Sequence, residues 1–411
     1  MTAPTFGMSF TRPDDEVQSP LGDDFSQTLI IETSEDASVA EFPADMPVRF
    51  STSDTDAMAA LGTGLLKDAA QGIHDQLNGL NAGADVTAVR VAEGVDTAAT
   101  ATAIAAIVNG VASIPSAVNK TPRIVVAGRT SWRLDLDTTN PVIVALEANL
   151  GKILAVAPVD VDDTSAANAI DARESMSSER LMPIGVAAGI WDGSNVVTRP
   201  MAPRVAGLMA RIDNQVGGGR PFHPFANRPL YGLSSLSRKI PFSTVDGSVE
   251  GQQMLAANVA IVAEGETGVD GAVADGGFRF IGTDNAQTST LWEQIHQVRG
   301  TDYLIVKIIE ITNEFLGRRI AADTVEAWIN SISFMLRDHV NQGDILGYSP
   351  KDKMFKASQN SPNNIRLGTL SLDIEIEPAP VFKVAQHEIR RYLPALEGMV
   401  NEIIARLAND A

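Results

Sequence analysis

Five histidines, His74, His223, His296, His339 and His387, are the side chains best suited to proton transfer or metal ligation in this chain. They are scattered, and no two stand at the helical spacing that would aim both rings at one ion. Carboxylates are plentiful but sit in solvated runs such as Asp160-Val161-Asp162-Asp163. That run reads more readily as a loop leading into a helix N-cap than as a divalent-ion site. A phosphate-binding loop would need glycine, then lysine and a hydroxyl; the nearest piece, Gly151-Lys152-Ile153, lacks both the upstream glycine and the hydroxyl. Gly217 to Gly219 run into Pro221 and Pro224 rather than into a helix, so they cradle no phosphate. Tyr231-Gly232-Leu233-Ser234-Ser235-Leu236 lacks the second glycine of a nucleophile elbow. There is no cysteine, which excludes disulfides, thiol catalysis and thiolate metal sites and fits a reducing cytoplasm. The expectation is a protein that is not an enzyme, with no cofactor and no metal.

The 411 residues carry 32 Lys+Arg against 51 Asp+Glu, a net charge of −19. Such a surface repels a phosphate backbone, so no nucleic-acid partner is expected. The start, MTAPTFGMSFTRPDDE, has no basic, apolar leader. The most apolar window, Ala98 to Ile114, is broken by Asn109 and Gly110. It is too mild to span a bilayer, so a soluble protein without membrane insertion is expected.

What remains is organisation. From the strand pattern Thr28 to Glu32 up to about Pro200, strands and helices alternate. Helices are expected over Ala57 to Leu80, Ala98 to Val111, Pro141 to Asn149 and Thr164 to Met176. Strands are expected over Val86 to Val91, Arg123 to Gly128, Ile153 to Val161 and Leu181 to Ile190. This alternation predicts a largely parallel α/β sheet covered on both faces. A middle section, Ala202 to Asn285, starts with a helix near Pro203 to Asp213 and ends in the strand Gly277 to Gly282. Further on, Leu304, Ile305, Ile308, Ile309, Thr312 and Phe315 line one helical face. A second helix is expected to start at a capping box of Asp323 and Glu326 and to stop at Gly343. Leu370, Leu372, Ile374 and Ile376 alternate with polar residues as a half-buried strand, stopped by Pro378-Ala379-Pro380.

Two appendages flank this body. Phe6, Met8 and Phe10 alternate with Gly7, Ser9 and Thr11 ahead of an acidic, Pro/Asp-rich spacer, Arg12 to Ser26. The segment reads as a frayed terminus or as an arm that pairs with a sheet edge of another subunit. After the prolines, Phe382, Val384 and Gln386 continue in extended form to about Arg390, a stretch that includes Ile389. A helix from Pro394 to Ala408 then carries Leu396, Met399, Val400, Ile403, Ile404 and Leu407 as one stripe. Fully burying six such side chains contributes at most about 9–18 kcal/mol, so the helix must dock on its own core or on a neighbour.

Several stretches carry a likeness to a known family: Phe42-Pro43-Ala44-Asp45-Met46-Pro47-Val48, Ala202-Pro203-Arg204-Val205-Ala206-Gly207-Leu208-Met209-Ala210-Arg211-Ile212-Asp213, and Leu230-Tyr231-Gly232-Leu233. Leu255 with Asn258, Gly276 to Gly282 and Arg299 to Asp302 follow in the family order. So do the two C-terminal helices and the Pro-Ala-Pro junction. In this order they resemble the contractile tail sheath proteins of bacteriophages, especially the short sheaths of temperate contractile-tailed phages and R-type pyocins. A departure is Ile281-Gly282-Thr283-Asp284, where the family carries Trp-Gly followed by Arg-Thr.

The resemblance implies a two-domain sheath fold, α/β with an α+β inner domain. It divides the chain into an N-terminal arm (1–25), an outer α/β domain (26–255), a tube-facing inner domain (256–380) and a C-terminal arm with its helix (381–411). It implies strand-lending arms at Phe6 to Thr11 and Phe382 to Arg390, and a tube-facing role for the helix from Pro394. It further implies stacked hexameric rings around a tail tube that contract from a metastable extended state. The expected partners are other copies, the tube protein, the baseplate and the tail terminator. The expected place is the virion tail, assembled in the host bacterial cytoplasm. Two alternatives stand beside this: the sheath of a pyocin-like or other injection particle, and a cofactor-binding α/β enzyme. The second would need a glycine fingerprint after the first strand, where Thr33-Ser34-Glu35-Asp36 stands instead.

Overall fold

Thr28–Thr33 is β1, and burial of all six of its residues places it at the centre of a sheet covered on both faces. A computed structural model describes residues 25–77, 80, 82–135, 137–265, 276–287 and 291–409. With β2 (Pro47–Ser51), β3 (Asp85–Val91) and β4 (Ile124–Ala127) the order is β2-β3-β1-β4. β1 runs parallel to β3 and β4, and β2 is an antiparallel edge. Hydrogen bonds from Val125 N to Val156 O (2.9 Å) and from Val156 N to Arg123 O (3.0 Å) extend the sheet to β5 (Ala157–Asp160). β5 in turn lies parallel to β6 (Leu181–Ile184).

A small antiparallel sheet follows, with β7 (Ala188–Trp191) between β8 (Val196–Arg199) and a short strand at Ser235–Leu236. β9 (Arg228–Leu230), β10 (that Ser235–Leu236 strand), β11 (Ile261–Glu264) and β12 (Phe278–Ile281) complete this half. β12 pairs antiparallel with both β11 and β9. Gly185 N to Ala260 O (3.0 Å) and Ala260 N to Pro183 O (2.8 Å) hydrogen-bond this sheet to β6.

Three expected elements come out divided. Ala57 to Leu80 is two helices, Thr55–Ala60 and Leu65–Asp75, broken where Gly62 takes φ 76° against Asp36. Ile153 to Val161 is strand only over Ala157–Asp160, because Leu150–Ile153 is a 3₁₀ turn and Leu154 is left-handed. Leu181 to Ile190 is two strands in two sheets, parted at Gly185, whose missing Cβ makes room for Met254 and Val259.

The apolar window holds the helix Thr97–Asn109, capped by the Asp96 side chain on Ala99 N (2.7 Å), with Ala101, Ile104, Ala105 and Val108 buried. Among the described residues no single helix is long and apolar enough to cross a membrane. Helix Ala202–Gln215 is buried from Ala202 through Asp213. It lies so close to helix Leu65–Asp75 that a Cβ on Gly207 would come within 2.7 Å of Ile73 O.

A second core forms around Phe25, Phe222, Tyr303, Leu304, Ile332, Leu336, Ile345 and Met354. It is built by helix Ile295–Asn313, helix Ala322–Gln342, β13 (Ile345–Tyr348) and β14 (Ile376–Pro378), the last two paired antiparallel. Residues of the first core extend through Val298, so the two cores meet along one helix. The expected capping box is absent: Ala321 is the N-cap, it makes no side-chain cap bond, and Asp323 lies in the first turn. Gly343 ends that helix in the left-handed conformation, as expected. The chain separates into two compact units, residues 1–379 and 380–411.

Candidate assembly surfaces

The crevice beyond the carboxyl ends of β1, β4 and β5 is where an open α/β sheet would hold a ligand. Here Glu32, Arg129, Thr130, Asp160 and Arg199 line it. Glu32 is buried against the Arg129 guanidinium at 3.2 Å, and burial raises its carboxyl above the usual carboxylate range. Its Oε2 lies where a Cβ on Gly128 would sit. Asp160 accepts hydrogen bonds from Met201 N (2.8 Å) and Ala202 N (3.1 Å), at the start of the buried helix. Burial pushes its pKa up to about 7 despite those two amides. Asp160 thus ends β5 and holds the start of helix Ala202–Gln215, partly buried rather than in the solvated loop expected of its run, while the N-cap of the helix that follows is Ser165. No group of three or more metal-ligating side chains occurs among the described residues.

Three of the five histidines make structural contacts. His74 Nδ1 meets Thr52 Oγ1 at 3.0 Å, and His339 Nδ1 meets Asp344 Oδ2 at 2.8 Å. Asp344 also accepts from Arg220 Nε (3.0 Å), which ties the Gly217–Gly219 loop to the second core. His296 is buried, and desolvation lowers its pKa to about 4. Neutral at neutral pH, it places Nε2 3.2 Å from Ala379 O. Gln297 Nε2 donates to Pro378 O (3.4 Å), and Ala379 N donates to Asp344 O (3.3 Å). Three contacts therefore fix the backbone at the Pro-Ala-Pro junction.

The edge just before that junction is unfinished. Leu372, Ile374 and Ile376 pack on the second core, as their alternation predicts, yet strand structure covers only Ile376–Pro378. Ser371 N reaches Asn360 Oδ1 (2.8 Å), Asp373 N reaches Met354 O (2.8 Å) and Glu375 N reaches Ser349 Oγ (3.2 Å). Odd-numbered amides thus turn inward. Those of Leu372 and Ile374 face the other way and bond to no group among the described residues. The expected strand is shorter than the alternation predicts because the inward amides of Ser371, Asp373 and Glu375 bond two side chains and a helix carbonyl in place of a neighbouring strand.

In residues 380–411, considered alone, Phe382 (85 % exposed), Val384 and Ile389 (95 %) lie in an extended stretch without strand pairing. The helix Pro394–Asn409 follows, and Leu396, Met399, Val400, Ile403, Ile404 and Leu407 are all exposed on it. Phe6, Met8 and Phe10 lie outside the described residues. Phe25, at the end of that segment, is buried, edge-on to Tyr303 at 5.3 Å and capped by Arg123.

Comparison with known proteins bears out the family likeness. No family model matches the chain. A prophage protein of Pseudomonas aeruginosa (strain UCBPP-PA14), named as a major tail sheath protein, is 23% identical over 347 residues, covering 81% of this chain and 84% of its own. Among solved structures, the helical sheath of the anti-feeding prophage in its contracted state aligns with TM-score 0.67 at 14% identity, over 95% of this chain and 100% of its own. The sheath complex of an extracellular contractile injection system, PVC, also contracted, aligns with TM-score 0.65 at 14% identity, over 94% and 98%. A chain in the anti-feeding prophage baseplate gives TM-score 0.65 at 13% identity, over 95% and 100%. The chain thus has the fold of contractile sheath subunits, and its relatives form a structural class rather than an enzyme family.

Proposed function

We propose that this chain, with its sheath fold, is the subunit of a contractile tail sheath that polymerises as stacked hexameric rings around a tail tube. The observation that carries the proposal is the open edge at Leu372 and Ile374, together with an exposed extended segment, Phe382 to Arg390. The β13–β14 sheet has only two strands, one face packed on the second core. A strand from another copy would complete it. We assign Phe382, Val384 and Ile389, and at the other terminus Phe6, Met8 and Phe10, to such strand-lending arms. The stripe from Leu396 to Leu407 is assigned to the surface that faces the tube.

In this reading residues 26–255 form the outer domain and 256–380 the inner one, with 1–25 and 381–411 as the arms. Baseplate and tail terminator would bound the polymer, which would assemble in the host bacterial cytoplasm. The energy for contraction would be held in a metastable extended lattice, with subunits rotating while their arms stay paired. The test is negative-stain electron microscopy of the purified chain over a concentration series, alone and co-expressed with its tube protein. Hollow striated tubes or stacking hexameric rings are expected. Globular particles under every condition would overturn the proposal.

A further inference from the structure

The terminal segments join the body at Phe25 and Ala379, and both junctions meet one stretch of helix. His296, Arg299 and Tyr303 follow one another at three and then four residues. They share a face of helix Ile295–Asn313 and span only about 10 Å along its axis. His296 Nε2 lies 3.2 Å from Ala379 O, and Gln297 Nε2 donates to Pro378 O (3.4 Å). One turn further on, Arg299 Nη2 reaches Phe25 O (3.4 Å), and Tyr303 packs on the Phe25 ring.

A second connection between the junctions runs outside this helix. Tyr303 stands edge-on to His339 as well as to Phe25, with ring centroids 5.7 Å and 5.3 Å apart. His339 Nδ1 meets Asp344 Oδ2 at 2.8 Å, and Asp344 O accepts from Ala379 N (3.3 Å). The contacts close a ring: Phe25, Tyr303, His339, Asp344, Ala379, His296 and, one helical turn away, Arg299.

The side chains of Phe25, Tyr303, His339, Asp344, His296 and Arg299 are all buried. A contact broken at one point of the ring is therefore not replaced by water, and its neighbours must rearrange. Charge links the two junctions as well. Desolvation first, and the Arg299 guanidinium after it, keep His296 neutral against Ala379 O.

We propose that this helix face is a single seat for both junctions, so that loosening either terminal segment at its junction loosens the other. The coupling is reciprocal, with one factor in both directions. On the strand-lending reading of the arms, a neighbour's hold on one arm then sets how firmly the other is presented. The coupling itself is a property of the single subunit.

Proline has no backbone N–H, so Ala379 carries the only amide from Pro378 to Pro380, and its exchange with deuterium reads the C-terminal junction alone. Arg123 N and Ile124 N donate to Gln27 O and read the N-terminal one. The full chain is measured below the concentration at which it assembles. Phe25→Ala should speed exchange at Ala379 about tenfold, and Gln297→Ala should speed it at Arg123 and Ile124 by a similar factor. The strand Asp85–Val91 should keep its protection in both variants. Phe25→Leu, which keeps most of the buried volume, should give an intermediate rate and stands in if the alanine variant fails to fold. Faster exchange confined to the altered junction would overturn the proposal. Equal acceleration in Asp85–Val91 would overturn it too, because the whole body would then have loosened. Tube formation in the microscope is a separate readout, so the sheath reading and the shared seat can fail independently.

Discussion

Arg299 and Asp213 form a two-pronged ion pair, 2.5 Å and 3.2 Å between donors and acceptors, with each side chain only 1 % exposed. It joins helix Ile295–Asn313 to helix Ala202–Gln215, and so the second core to the first. Arg299 Nη2 also reaches Phe25 O at 3.4 Å.

Removing one partner leaves a buried, uncompensated charge. Arg299→Ala should destabilise the subunit by about 3–5 kcal/mol, read from urea unfolding. Arg299→Met with Asp213→Leu should recover most of the loss. A double variant as unstable as the single would show that geometry, not charge, holds the two helices.

Gly207 permits backbone-on-backbone packing with the helix that carries Ile73. A methyl group there would lie 2.7 Å from Ile73 O and 2.8 Å from Ile73 Cα, neither of which can rotate away. Gly207→Ala should lower stability by about 1–3 kcal/mol in the same assay, despite alanine's better helix propensity.

Two buried groups give opposite pH dependences. His296, held near 4 in the fold against 6.5 in the unfolded chain, stabilises the fold above pH 6.5 and loses that contribution as pH falls through 4. Its share is on the order of 3 kcal/mol. Asp160, raised from 3.8 to about 7, favours the fold below pH 3.8 and loses that contribution as pH rises through 7. Unfolding of His296→Gln should therefore show a shallower fall in stability between pH 6.5 and 4. Asp160→Asn should show a smaller decline between pH 4 and 7. Unchanged slopes would assign the pH dependence to other groups.

Truncation should separate folding from assembly. A chain lacking residues 1–24 retains Phe25, and with it the contact to Tyr303. It should unfold at nearly the full-length midpoint yet form no long tubes in the electron microscope. Long tubes from that truncation would remove the N-terminal segment from any role in polymerisation.

The sequence discloses some of this more readily than the rest. β1, β3, β4 and the helices Thr97–Asn109 and Pro141–Asn149 are legible because their apolar period matches their burial. Breaks at Gly62, Leu154 and Gly185 are not, since a left-handed residue or a missing Cβ matters only against a neighbour distant in sequence. The buried role of Arg204, Arg211 and Arg299 escapes composition for the same reason: each answers Asp68, a carbonyl or Asp213 across the fold. The alternation from Leu370 to Ile376 does predict which side chains face the core. It overstates the strand because the inward amides of Ser371, Asp373 and Glu375 meet side chains and a helix carbonyl rather than a paired strand, which periodicity does not report.

The fixed junction at Pro378–Ala379 also determines how the fold answers a pull. Tension arriving through Pro380 meets a backbone held by His296, Gln297 and Asp344, and passes on along β14. Because β14 lies antiparallel against β13, force along its axis strains the ladder bonds together, in shear, rather than opening them one at a time. The anchorage is thus graded like a rope made fast round a cleat: the side-chain contacts take the first load, the ladder the second. Arg220, His339 and the Asp344 carboxylate sit behind it as the mooring.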